Sequence, residues 1–440
     1  MYKAETVARV CRGKLIGDGK ASARRVVTDS RKIEKNDMFI AISGEKFDGN
    51  TFAPSAAEKG AAFMVLSREN ALPQGCTGII VDDTRDALLR IASYHRDECN
   101  VKVVGVTGSV GKTTTKDMIA CALSAQFKTH KTQGNFNNDI GMPLTLLGIE
   151  DDDRAAVIEM GMSSRGEISR LTRAAKPDAA VITNIGMSHI EHLKTRENIL
   201  AAKLEILEGL QKDGTVILNA DDEYLSRVSN LPFKTLFFGL DSECDVRGKV
   251  ISDNTVEVMG QKITLNVEGR HNLLNACCAM AAAAALGIDA EIAAKGIMTF
   301  ETDDIRQKAE KSPRGFTVIR DYYNASPQSV EVALRTLGKK DGRKIAVLGD
   351  MLELGEFSEQ CHKAAGREAA ANGTDILFTY GKEMKAAHKE ALAHNVEAVH
   401  FEDKNDLSEY LLKVLREGDT VLIKGSHGMK MEDIYEKIMG

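Results

Sequence analysis

Several classes of protein are excluded by what the 440-residue chain lacks. No window approaches the ~18 apolar residues of a membrane span; the nearest, ACCAMAAAAAL from Ala276, is short and alanine-rich. The first residues, MYKAETVARVCRGKL, carry charge throughout and lack the apolar stretch of a secretory signal. The eight cysteines (Cys11, Cys76, Cys99, Cys121, Cys244, Cys277, Cys278, Cys361) form no CxxC pair and no regular spacing. They therefore read as free thiols in a reducing cytosol, most of them small core residues. Net charge is -6 with Lys and Arg scattered, so no basic stripe speaks for nucleic acid. Neither an internal repeat nor a low-complexity tract is found. The expectation is a cytoplasmic protein with no integral membrane segment and no nucleic-acid partner.

What is present is an ordinary globular balance, 43% hydrophobic and 28% charged. At roughly 100–200 residues per domain, the length suits three domains. In residues 1–83, short apolar runs (DMFIAISG, AAFMVLS, GIIVDD) alternate with helical or turn segments, giving a small mixed α/β domain. Residues 84–311 open with TRDALLRIASYHRDE; then VKVVGV, RAAVIEM, DAAVITN and GTVILN alternate with helical stretches, as in a parallel sheet with crossover helices. The polar KSPRG near Lys311 reads as a linker. In residues 312–440, GFTVIRDY, RKIAVLGD, TDILFTYG and DTVLIKGS each precede a helical or looped stretch, the pattern of a smaller doubly wound, Rossmann-like domain.

The densest chemistry lies in VVGVTGSVGKTTTKDMIA from Val103. Gly108 and Gly111 allow a tight turn whose N–H groups can point at phosphate oxygens; Lys112 adds a point charge and Thr113 a hydroxyl for Mg²⁺. The following helix presents its positive end to the same place. The longer form of this motif has glycine where Val106 stands, so the loop is the short T-G-S-V-G-K-T. Two later strands add ligands. AAVIEMG ends in Glu159, a carboxylate whose burial is costly unless a cation or hydrogen bonds compensate; a salt-bridged strand end is the alternative. AVITNIGMSHIEHL presents His189 beyond its strand. If these strands run parallel to the one before the loop, Thr113, Glu159 and His189 converge on one edge as an Mg²⁺ site, although histidine is an unusual ligand for so hard a cation. The alternative for His189 is a capping or loop role, and its HxxH spacing with His192 does not argue for zinc. Lys203, on the apolar-periodic ENILAAKLEIL, reads by itself as a surface lysine whose stem lies on apolar neighbours.

In order along the chain, TGSVGKTTT, GNFNNDIGMPLTLL from Gly134, VIEMGM, TNIGMSHIEHL, Ala202-Lys203, GRHNLLNA from Gly269, DYYNASPQSV from Asp321 and LGDMLELGE from Leu348 resemble the Mur ligases. These are ATP-dependent amide-forming enzymes of bacterial cell-wall synthesis, and the resemblance spans essentially the whole chain. It implies a UDP-substrate-binding domain at 1–83, an ATP-binding Mur ligase domain at 84–311 and a closing Rossmann-like domain at 312–440. It also implies that Gly108, Ser109, Val110, Gly111, Lys112, Thr113 and Thr114 hold ATP, with Thr113 and Glu159 on one Mg²⁺. His189 and a carbamylated Lys203 would attend a second Mg²⁺. Asn272 resembles the adenine contact, Arg306 and Asp321 the pair reaching the ATP phosphates and ribose, and Asn138 a residue lining the reaction centre. Ser30, Arg31, Asp48, Gly49 and Asn50 resemble the uridine-nucleotide pocket, and Asn324 is assigned to substrate. The sequence departs from the family at Asn50, where histidine is common, and at Ile305, where glycine usually precedes the arginine.

The branch resembled most closely joins D-alanyl-D-alanine to UDP-N-acetylmuramoyl-tripeptide through an acyl phosphate, acting as a monomer with no protein nucleophile. The alternatives are a sister ligase adding a diamino acid, whose DNPR-like motif is not found here, and a P-loop regulator without ligase chemistry. The latter would have little use for Glu159, His189 and Lys203 together.

Overall fold

The computed structural model describes residues 1–44, 47–302 and 308–440. It is α/β, built on three main sheets of nine, six and five strands. The central sheet runs in the order 261–264, 255–258, 246–252, 234–239, 215–219, 179–182, 102–107, 155–159, 129–131. From 246–252 onward neighbouring strands are parallel, and a hairpin at 255–264 adds an antiparallel edge. Strands such as Ala155–Glu159 and Ala179–Ile182 are buried along their whole length because helices cover both faces. The Lys102–Thr107 strand lies between Ala155–Glu159 and Ala179–Ile182. Chain order reverses there, so the crevice beyond its carboxyl end is where an open α/β sheet binds ligands.

The alanine-rich run at Ala276 is internal: helix Arg270–Ala285 is buried along most of its length, its small side chains letting it pack closely on the sheet. Among the described residues, no helix is long and apolar enough to cross a membrane.

Helix Thr84–Glu98 starts at Asp83, whose carboxylate accepts the Arg85 and Asp86 N–H groups. One side (Ala87, Leu88, Ile91) is buried in the amino-terminal core, and another (Leu89, Ala92) in the core of the central sheet. The amino-terminal sheet runs 14–16, 78–80, 63–66, 37–40, 25–27, parallel except at 14–16.

The carboxyl-terminal sheet runs 308–311, 317–320, 420–424, 344–349, 376–380, 397–401. KSPRG is not a linker. Lys308–Lys311 pairs antiparallel with Thr317–Arg320, and the segment between is the turn, closed by Ser312 N–H to Phe316 O (2.7 Å) and carrying Gly315 at φ +87°. Proline and glycine suit a turn as well as a linker, so composition could not separate the two. This sheet docks on the central one: Ile319, Val330 and Leu334 share a continuous core with Ile182, Ile185 and Leu193.

Candidate active site

A cleft of about 830 Å³ opens where the two doubly wound units meet. The phosphate loop forms its floor. Gly111 takes φ +80°, and a Cβ on Gly108 would stand 1.9 Å from Thr183 Oγ1; both positions therefore require glycine. The loop is tied to the segment after the neighbouring strand. Val110 N–H donates to Asn184 Oδ1 (3.0 Å), Thr183 Oγ1 and Asn184 Nδ2 donate to Val110 O (2.8 and 2.9 Å), and Gly186 N–H donates to Ser109 Oγ (2.8 Å). Lys112 opens the helix Lys112–Ser124, and its Nζ donates to Gly108 O at 2.8 Å. Ser109, Val110, Gly111, Lys112, Thr113 and Thr114 line the cleft; Gly108 lies behind them.

Thr113 Oγ1 donates to Glu159 Oε2 at 2.9 Å, and Asn137 Nδ2 to Glu159 Oε1 at 2.7 Å. Glu159 is 2% exposed, and both of these donors are neutral. Two oxygen ligands on adjacent elements suit Mg²⁺, which takes one or two protein oxygens and completes its shell with phosphate and water. Consistently, no group of three or more His, Cys, Asp or Glu able to hold a metal occurs among the described residues.

His189 lines the same cleft, and its Nδ1 donates to Glu353 Oε2 of the carboxyl-terminal unit. Lys203 corrects the surface reading: it is 2% exposed. Burial, reinforced by the nearby charge of Lys112, pushes its pKa well below that of an ordinary lysine. Lys203 is not among the residues that line the cleft. Asn138 lines the cleft while its Oδ1 accepts Gly141 N–H (2.8 Å).

On the far wall, Asn272 is buried with Nδ2 donating to Glu268 O (2.8 Å). Asp321 and Asn324 face it from the carboxyl-terminal unit. Arg306 lies outside the described residues.

The amino-terminal set forms a separate group outside the cleft lining. Arg31 is exposed and paired with Asp29 (2.9 Å), and Ser30 O accepts Lys59 Nζ (2.7 Å). A Cβ on Gly49 would stand 2.3 Å from Ile42 O. Asn50 is hydrogen-bonded within the protein. It is 3% exposed, and Nδ2 donates to Asp48 Oδ1 (2.8 Å) and Ser67 Oγ (2.9 Å) while Oδ1 accepts Ser67 N–H (3.0 Å). Asn50 holds Asp48, and its donors keep the Asp48 carboxyl below the usual range. Asn50→Ala is expected to cost about 0.5–1.5 kcal/mol by removing hydrogen bonds to half-buried partners, read as a lower urea midpoint with an unchanged slope.

The chain as a whole has counterparts in known proteins. Residues 23–96 match the family pattern described as Mur ligase family, catalytic domain; 106–283 match the Mur ligase middle domain; 306–427 match the Mur ligase, glutamate ligase domain. Over 423 residues the chain is 41% identical to the UDP-N-acetylmuramoyl-tripeptide--D-alanyl-D-alanine ligase of Bacillus subtilis, covering 94% of this chain and 93% of the relative. The chain belongs to the Mur ligase family. This Mur ligase also resembles a crystal structure of MurF from Acinetobacter baumannii (TM-score 0.91, 29% identity, 100% of this chain and 98% of that one). A second likeness is to MurF ligase from Thermotoga maritima in complex with ADP (TM-score 0.83, 28% identity, 95% and 97% covered).

Three side chains of this Mur ligase site escaped sequence reasoning. Asn137, the donor to Glu159, sits beside the chosen Asn138 in GNFNNDIG, and nothing in that spelling says which asparagine turns inward. Asn184, which grips the phosphate loop, stands two residues past its strand. Lys424, 2% exposed, donates to Asp321 Oδ2 (2.7 Å) and Asn324 O (3.0 Å). A lysine closing a wholly buried strand, Thr420–Lys424, was the available signal.

Proposed function

We propose that this chain is the ATP-dependent ligase that joins D-alanyl-D-alanine to UDP-N-acetylmuramoyl-tripeptide in peptidoglycan precursor synthesis, releasing ADP and phosphate. The observation that carries this reading is the Thr113–Glu159 contact beside the phosphate loop, in a chain aligned nearly end to end with relatives of that named activity.

A carboxylate cannot form an amide at neutral pH without a better leaving group than oxide. The tripeptide carboxylate attacks the γ-phosphate to give an acyl phosphate and ADP; the dipeptide amine adds to the acyl carbon, and phosphate leaves. Both reactants of the first step are anions, so the protein must chiefly screen like charges and hold the line of attack. The loop N–H groups, the helix end and Lys112 supply fixed positive potential there. Thr113 and Glu159 would hold Mg²⁺, which when bound neutralises phosphate charge. His189 and a carbamylated Lys203 would serve a second Mg²⁺. Lys203 suits carbamylation because a buried, neutral amine is the form that attacks carbon dioxide. Asn272 would meet adenine, Asp321 and Arg306 the phosphates and ribose, and Asn138 and Asn324 the reacting peptide. Ser30, Arg31, Asp48 and Gly49 would receive the uridine nucleotide.

We also assign the uridine substrate to residues 1–83 and ATP to the unit that follows, with the carboxyl-terminal unit closing over both to keep water from the acyl phosphate. The enzyme works as a cytoplasmic monomer on this reading. The deciding assay is phosphate release from ATP with UDP-N-acetylmuramoyl-tripeptide, with and without D-alanyl-D-alanine. Sustained release is expected only with all three. Release that ignores the dipeptide, or that requires lysine or diaminopimelate on a dipeptide acceptor, would overturn it.

A further inference from the structure

The LGDMLELGE segment of the carboxyl-terminal unit supplies the one side chain, among the described residues, that the structure shows bonded to His189. The two partners are 164 positions apart in the chain and lie in segments that follow strands of different sheets. Both are non-glycine residues in the left-handed region, His189 at φ 61° and Glu353 at φ 61°. Such strain persists only where the surroundings over-determine the backbone, and they do so here. Asp350 is buried and accepts the Met384 N–H (2.8 Å); Met351 N–H donates to buried His362 Nε2 (3.0 Å); Leu352 N–H donates to Ser426 Oγ (2.9 Å). Three successive residues are thus pinned, and the next, Glu353, is delivered against the central unit. There Glu191 N–H donates to Glu353 O (3.1 Å), and a Cβ on Gly355 would lie 3.3 Å from Glu191 Cα, leaving little slack. His189 for its part begins the turn Ile190–Leu193, with Leu193 N–H on its carbonyl (3.1 Å).

A carboxylate has no hydrogen to give, so the shared hydrogen belongs to His189 Nδ1, and with that nitrogen engaged Nε2 is the one left for another partner. Histidines that serve a metal or phosphate are commonly fixed in this way by a carboxylate on the opposite nitrogen. Here the carboxylate comes from the other unit, so the ring is set only when the two units are docked. We infer that Glu353 is a positioning residue that accepts the Nδ1 proton of His189 across the domain boundary, making the phosphate side of the cleft competent only in the docked arrangement. This rests on the reading above that His189 belongs to the phosphate-side machinery.

The test uses the full chain. Glu353→Gly keeps the left-handed backbone and the Glu191 contact while removing the carboxylate; Glu353→Gln keeps size and guards against a folding defect in the first variant. In ¹⁵N-histidine spectra, with His189 assigned by its own substitution, Glu353→Gly is expected to shift the His189 signals from the Nδ1–H tautomer toward a mixture. The Mg²⁺ midpoint for phosphate release should rise about 10–100-fold at an unchanged melting temperature, with Glu353→Gln intermediate. Unchanged His189 signals together with a midpoint within twofold of the parent would overturn the inference. His189→Ala separates the two levels. If it is impaired while Glu353→Gly is normal, only the role of Glu353 fails; if both are normal, the assignment of His189 fails with it.

Discussion

Glu159→Ala is expected to lower phosphate release by about 10²–10³-fold without lowering the melting temperature. The two halves of that result have one cause. Glu159 is a buried carboxylate whose side-chain partners, Thr113 and Asn137, are both neutral donors. Taking a charge out of water without a counter-charge costs stability, so the folded chain has little to lose and something to gain from its removal. Catalysis loses the carboxylate that lies against the Thr113 hydroxyl, and with it the oxygen that would bring Mg²⁺ to the phosphates. Glu159→Gln should behave alike. Circular dichroism melts beside steady-state rates check both halves. A variant that keeps near-normal turnover removes Glu159 from its role, and one that loses activity only by unfolding converts it to a structural residue.

The second large effect concerns Lys203. Lys203→Ala is expected to reduce turnover at least about 10²-fold and to regain part of it with millimolar formate or acetate, whereas parent activity should fall in buffer stripped of bicarbonate. Burial is the cause: an ammonium in this position is penalised by desolvation and by the charge of Lys112, which favours the neutral amine. A neutral buried amine can take up carbon dioxide and become an anion of the kind added carboxylate would imitate. Absence of both loss and rescue would leave Lys203 as a packing residue. Lys203→Met then serves as the control, since it fills the volume without any acid–base chemistry.

Legibility in the sequence followed the range of the interactions concerned. The central strands were readable because each is a local apolar run, and the phosphate loop because glycine, lysine and threonine act within one turn. Placing Lys203 was not possible from ENILAAKLEIL: an apolar-periodic helix looks the same whether its lysine snorkels or is covered, and what covers it comes from elsewhere in the fold. The internal partner of Asn50 was hidden as well, since Ser67, which occupies both ends of its carboxamide, stands seventeen positions on. Lys308–Lys311 is an edge strand only because Thr317–Arg320 turns back on it. The DMLELGE stretch looked like a family signature with no assigned task, because its partner His189 is brought to it by two separate sheets.

Helix Thr84–Glu98 carries a last consequence. Because it is embedded in two cores at once, it ties the amino-terminal sheet to the sheet that carries the phosphate loop, and on the function proposed above the span from uridine pocket to loop would work as a ruler. An extended peptide grows by about 3.3–3.6 Å per residue, so an acceptor one residue short leaves its terminal acid stranded before the nucleotide, however firmly its sugar is held. On that reading, length discrimination would be built into the frame of the molecule and would need no side chain to inspect the missing residue.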